Sequence, residues 1–117
     1  MVVILHHIRS GKMSDMKQQI LDALKSVPKI RDTAEEMDPV CRVKLFYPDF
    51  NWTWYVIESD GQDECFGLVE GWEVELGSFS LEELFNTKGK LGCPIEMDLY
   101  FKPDRLSEIK KRCRSQA

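Results

Sequence analysis

The residues best suited to chemistry by type and spacing are two pairs of acids, Glu73 with Glu75 and Glu96 with Asp98. In an extended segment an i, i+2 pair points both carboxylates to one face, where they could hold a divalent cation or share acid–base work. Ordinary solvated strands carry the same pattern, so a metal-dependent reading needs ligands that the spacing does not supply. His6 and His7 are adjacent and diverge in any regular element, with no acid or cysteine nearby at ligand spacing. Cys41, Cys65, Cys93 and Cys113 lie 24, 28 and 20 positions apart, which excludes a C-x-x-C pair and a zinc-knuckle spacing. No G-x-S-x-G or Cys/His signature of an activated nucleophile is present, and "GLVEG" and "SGK" lack the spacing of a phosphate loop. These features predict a non-enzymatic protein with reduced thiols, no metal and no cofactor.

Charge gives a different lead. The net charge is −4, but residues 48–100 hold twelve acids against only Lys88 and Lys90, while residues 1–31 and 101–117 each hold six basic residues against two acids. Most of the carboxylates are expected on outward faces and turns, many within a Debye length of about 8–10 Å of one another. A surface of one sign repels nucleic acid and attracts a basic patch. An acidic face of this kind is also common on soluble domains, and the basic ends could fold back and neutralise it.

The elements that must position these residues follow from periodicity. The chain has 117 residues and 43% hydrophobic content, enough for one ordinary core. Residues 1–15 form an N-terminal extension, either an added edge strand or an unstructured arm, with alternative start methionines at Met13 and Met16. A single domain occupies 16–117. Met16, Ile20, Leu24 and Val27 recur at helical spacing, with Ser14 as cap and Pro28 as stop. The polar segment "KIRDTAEEMDP" reads as a surface linker.

From "RVKLFY" the period falls to two. "WTWYVIES", "ECFGLVEG" and "WEVELGSF" continue an antiparallel meander through turns at "PDFN" and "DGQD", with Trp72, Val74 and Leu76 on one face and Glu73 and Glu75 on the other. Ser80 and Glu83 form a capping box for a helix that Gly89 ends. "IEMDLYF" is the fifth strand, with Ile95, Met97, Leu99 and Phe101 inward. Gly67 marks a bulge or a close backbone approach, and Gly77 a bend. The fold class is α+β: an antiparallel sheet of about five strands with an N-terminal helix and a helix inserted before the last strand, followed by a basic C-terminal tail, "LSEIKKRCRSQA", that could form a short helix. Trp52, Trp54 and Tyr55 pack between sheet and helices in this reading; the alternative is an exposed platform that stacks bases, which needs a positive groove beside it.

The segment Val43 to Ile109, with the ordered series "FYPD", "WTWYV", "FGLVEG", "ELGSFSLEEL" and "LGCPIEMDLYF", resembles the bacterial domain of unknown function family 2958. The resemblance implies a small soluble protein of plasmids, integrative elements and phages, often encoded near antirestriction and DNA-processing functions, with no established activity and no catalytic residue to carry over. Its usual start resembles the helix from Met16.

Together these observations predict a cytoplasmic accessory or inhibitor protein of a mobile element, of antirestriction or anti-CRISPR type. Glu70, Glu73, Glu75, Glu96 and Asp98 attract a basic, nucleic-acid-binding host protein, with Trp52 or Tyr55 as an exposed anchor. Two alternatives remain open: a basic tail of Lys110, Lys111, Arg112 and Arg114 that grips phosphate, or a small metal-dependent enzyme using Glu96 and Asp98. The N-terminal apolar run, Val2 to Leu5, is far shorter than the ~20 residues of a membrane span.

Overall fold

A computed structural model describes residues 15–115 of the chain. The Ser14 cap, the His6–His7 pair and the extension fall outside the described residues. Helix α1 covers residues 15–24 and places Ile20 and Leu24 in the core, followed by Val27 after a final turn. Then come β1 (Val40–Cys41), β2 (Val43–Tyr47), β3 (Phe50–Ser59), β4 (Glu64–Glu70), β5 (Val74–Ser80), α2 (Leu81–Asn86), β6 (Glu96–Met97), β7 (Asp104–Arg105) and α3 (Leu106–Ser115).

The main sheet is antiparallel and ordered β5-β4-β3-β2-β6, and β1 pairs with β7 in a separate two-stranded ladder. The class is α+β, with the meander, the N-terminal helix and the inserted helix all present. Strand alternation divides the core in two. Val43, Leu45, Tyr47, Trp54 and Val56 pack with α1 and α2, while Tyr55, Ile57 and Leu68 pack with Leu106, Ile109 and Cys113 of α3. Trp54 and Tyr55, adjacent in sequence, are thus buried on opposite faces of the sheet.

The basic C-terminal segment forms a helix, α3, as its sequence allowed, because Leu106, Ile109 and Cys113 give it one apolar stripe to bury. Several local expectations shift. The fifth strand shrinks to Glu96–Met97, since Asp98 turns the chain by accepting the Tyr100 amide at 2.9 Å; Leu99 and Tyr100 are consequently exposed rather than aligned on a ladder. Gly77 pairs with Gly67 inside β5 and makes no bend that the pairing registers.

Gly67 does sit at a close approach. A Cβ there would lie 1.8 Å from the Tyr55 carbonyl oxygen, opposite a bulge between Val56 and Glu58. The capping box is half made: Ser80 Oγ accepts the Glu83 amide, while Asp63 accepts both the Ser80 hydroxyl and the Glu82 amide. Helix α2 stops at Asn86, three residues before Gly89, and that glycine has a different use, described below.

Candidate functional site

The most exposed of the three tryptophans is the one that alternation grouped on a strand face with Val74 and Leu76. Trp72 lies in the β4–β5 turn, just before the strand begins, and is 91% exposed. Gly71 precedes it because a Cβ there would meet the Trp52 ring at 2.7 Å. Removing that side chain lets the Trp52 indole lie against the turn, and Trp72 makes an edge-on contact with it at 6.2 Å between centroids. Trp52 also stacks with Phe50 at 6.2 Å and tilts against Trp54 at 6.1 Å, which meets Tyr47 edge-on at 5.7 Å. A ladder of rings therefore runs from the core to the tip of the hairpin.

Of the two aromatic anchors expected from sequence, Trp52 is half-buried within this ladder. Tyr55 is buried on the α3 side against Phe101 and is no surface anchor; burial pushes its hydroxyl pKa up. The exposed anchor is Trp72, which sequence periodicity missed because the register of β5 starts two residues later.

The five acids expected to form one face do not share one. Glu75 pairs with Val69 and points to the α1 side, Glu73 lies in the turn, and Glu70 pairs with Val74 and points to the α3 side. Glu70 also acts on the Cys113 thiol: burial first, and then the Glu70 charge, push that thiol up to about 11. Glu96 and Asp98 belong to the β6 edge, four strand steps from β5, or roughly 19 Å. That separation exceeds the Debye length, so the two groups of acids do not act as one field. Asp98 is further neutralised by Lys44 Nζ at 3.7 Å. Glu73 and Glu75 remain exposed beside Trp72.

Many of the other acids are structural. Glu58 is buried, with only 4% of its surface exposed; it accepts the Arg31 amide at 2.8 Å, the Thr33 amide at 3.0 Å and the Thr33 hydroxyl. Burial opposes its charge, but these donors outweigh burial and hold its carboxyl below the ordinary value. Arg31 itself has φ 77°, a left-handed conformation uncommon for a side-chain-bearing residue, and the Glu58 contact holds it there. Asp60 accepts the Gln62, Asp63 and Glu64 amides in the β3–β4 turn. Asp38 caps α3 through the Ser107 amide and hydroxyl.

On the basic helix, Lys111 pairs with Glu108 at 3.2 Å and Arg112 with Asp104 at 2.5 Å. Lys110 is half-buried, and the Arg114 side chain lies outside the described residues. The four basic residues expected to grip phosphate are therefore partly engaged with acids of their own region. Among the described residues no group of three His, Cys, Asp or Glu side chains converges as a metal would require. Burial raises the Cys41 thiol to about 12 and the Cys65 thiol to about 11, which keeps both in the unreactive protonated form. No helix among the described residues is long and apolar enough to cross a membrane.

A family model described as "Protein of unknown function (DUF2958)" matches residues 15–116. The chain belongs to the DUF2958 family. No curated protein and no solved structure matches it. The family match spans every element that builds the hairpin and its support.

Proposed function

We propose that this DUF2958 protein is a non-enzymatic binding protein, an accessory or inhibitor of a bacterial mobile element or phage, that engages a basic, nucleic-acid-binding host protein. The engaging surface is the tip and outer edge of the β4–β5 hairpin. One observation carries the reading: Trp72, 91% exposed, is flanked by the open carboxylates of Glu73 and Glu75. An exposed indole offers the large apolar contact typical of an interface anchor, and the flanking acids favour a basic partner. No Lys or Arg occurs between residues 48 and 87 to weaken that local field. The resemblance that suggested a mobile-element setting supports an antirestriction or anti-CRISPR role in the cytoplasm, where such a partner would be met.

The surface is narrower than a whole sheet face. Glu70, Glu96 and Asp98 lie on other surfaces and are left out of it. The test is affinity capture from nuclease-treated bacterial lysate at low and moderate salt, using wild type, Trp72→Ala and Glu73→Lys/Glu75→Lys proteins, with mass spectrometry of the eluates. A basic DNA- or RNA-binding protein retained by wild type and lost by both variants is expected. Equal retention by all three, or retention of nothing, would remove this surface from the account.

A further inference from the structure

A second feature lies at the opposite end of the aromatic ladder from Trp72 and does not depend on the partner proposed above. A cleft of about 330 Å³ opens between the β2–β3 turn, the end of α2 and the loop that follows it. Tyr47, Phe50 and Trp54 supply aromatic wall, and Lys88, Lys90 and Glu83 supply charge. That volume is at the small end of the range for pockets that hold compact organic ligands. Phe50 is 36% exposed and stacks on Trp52, while Tyr47 is fixed from behind by donating its hydroxyl to the Leu84 carbonyl at 2.5 Å.

The two lysines are the only cations in residues 48–100, and both come to this one cleft. Neither has a carboxylate within ion-pair distance among the described residues. The loop that carries them is held in place by Asp49. Its Oδ2 accepts the Leu91 amide at 2.6 Å and the Cys93 amide at 3.1 Å. Gly89, between the lysines, fits against the same carboxylate so closely that a Cβ would lie 1.5 Å from Oδ1. Two further bonds close the loop, Gly89 amide to Cys93 carbonyl at 2.9 Å and Gly92 amide to Gly89 carbonyl at 3.0 Å. The lysines are therefore mounted on a backbone that is set before any ligand arrives, which lowers the ordering cost of binding.

We propose that this cleft binds a small planar aromatic anion, with its ring against the exposed Phe50, in front of the buried Trp54 and Tyr47 rings that back the cleft, and its anionic group between Lys88 and Lys90. Aromatic walls favour a flat ring, and two unpaired ammonium groups favour one anionic group near them. Glu83 on the same rim and Asp49 behind Gly89 offset the two lysines in sum, but Asp49 is turned to the Leu91 and Cys93 amides, so the positive charge at the rim is local and suits a small anion. A long polyanion would meet the acids that dominate the surrounding chain and be repelled. A nucleoside monophosphate and an aromatic carboxylate share the required chemistry.

The experiment is a titration of the whole protein followed by tryptophan fluorescence and by saturation-transfer NMR. The probes are AMP, UMP and indole-3-acetate, with adenosine and inorganic phosphate as half-ligands. At least one aromatic anion is expected to saturate, with each half-ligand at least about tenfold weaker. Lys88→Ala/Lys90→Ala should weaken that anion by about tenfold or more, and Phe50→Ala should weaken it while leaving the response to phosphate alone unchanged. Both variants alter exposed side chains, and a melting curve on each confirms that the fold is kept. Saturation by AMP or UMP alone assigns the nucleotide class, and saturation by indole-3-acetate alone assigns the carboxylate class. Absence of saturable binding by all three up to about 5 mM, or binding that the double lysine variant leaves unchanged, overturns the proposal.

Discussion

Glu58 and Glu75 stand on the same sheet, seventeen positions apart in an acid-rich stretch, and have opposite fates. Glu58 is buried at the end of β3 and holds the 31–33 loop through three donors. Glu75 is exposed on the open edge strand beside Trp72. What separates them is position relative to a bulge and an edge. The extra residue between Val56 and Glu58 sets Glu58 opposite Phe66, away from the face it would share with Val56 under strict alternation. Counting acids therefore overstates a binding field: part of the −10 stretch is internal scaffolding, and what is left for a partner is local.

The largest effect that would test this contrast is on stability. Glu58→Ala leaves the Arg31 amide, the Thr33 amide and the Thr33 hydroxyl without their acceptor and should cost about 3 kcal/mol. Urea unfolding measures it, and a loss below about 0.5 kcal/mol would mean that the loop does not need the carboxylate.

A smaller and pH-selective effect comes next. The Glu58 carboxyl is held below its ordinary value of 4.5, so its stabilisation is fully present above that pH and is lost as pH falls through the lower folded-state value. Wild-type unfolding free energy should fall on acidification below about pH 4.5, and Glu58→Gln should show a shallower fall. Parallel curves for the two proteins would assign the acid sensitivity to other groups. Asp38, held below its ordinary value mainly by the Ser107 hydroxyl, contributes in the same direction.

The smallest effect belongs to the exposed pair. Glu73→Lys/Glu75→Lys should change stability by no more than about 0.5 kcal/mol, because neither side chain accepts a hydrogen bond or an ion pair within the described structure. Differential scanning calorimetry at neutral pH checks this. A loss above about 1.5 kcal/mol would make these acids structural after all and would remove the distinction from Glu58.

The fold was legible where one periodicity dominated. Met16, Ile20, Leu24 and Val27 marked α1, and the alternating runs from Val43 to Phe79 marked the meander, because an element must bury one face and its pattern records which. The site was legible only in outline. Trp72 was misplaced because two-residue alternation was extended backward through a turn, and Tyr55 was offered as an anchor because alternation alone does not say that a helix covers the second face. The short β6 was also hidden, since Leu99 and Phe101 keep the apolar alternation while Asp98 breaks the backbone path.

By itself the amino-acid sequence determined the α+β class, the order of the strands along the chain, the glycine at the bulge and the uneven charge. These depend on local spacing and on backbone sterics, which act between neighbours in the chain. Tertiary structure alone decided which carboxylates are buried, which tryptophan is exposed, and that Lys88 and Lys90 meet Phe50 and Trp54 across a cleft. Those outcomes depend on contacts between residues tens of positions apart, such as Asp49 with Leu91 and Glu58 with Thr33, and local spacing carries no record of them.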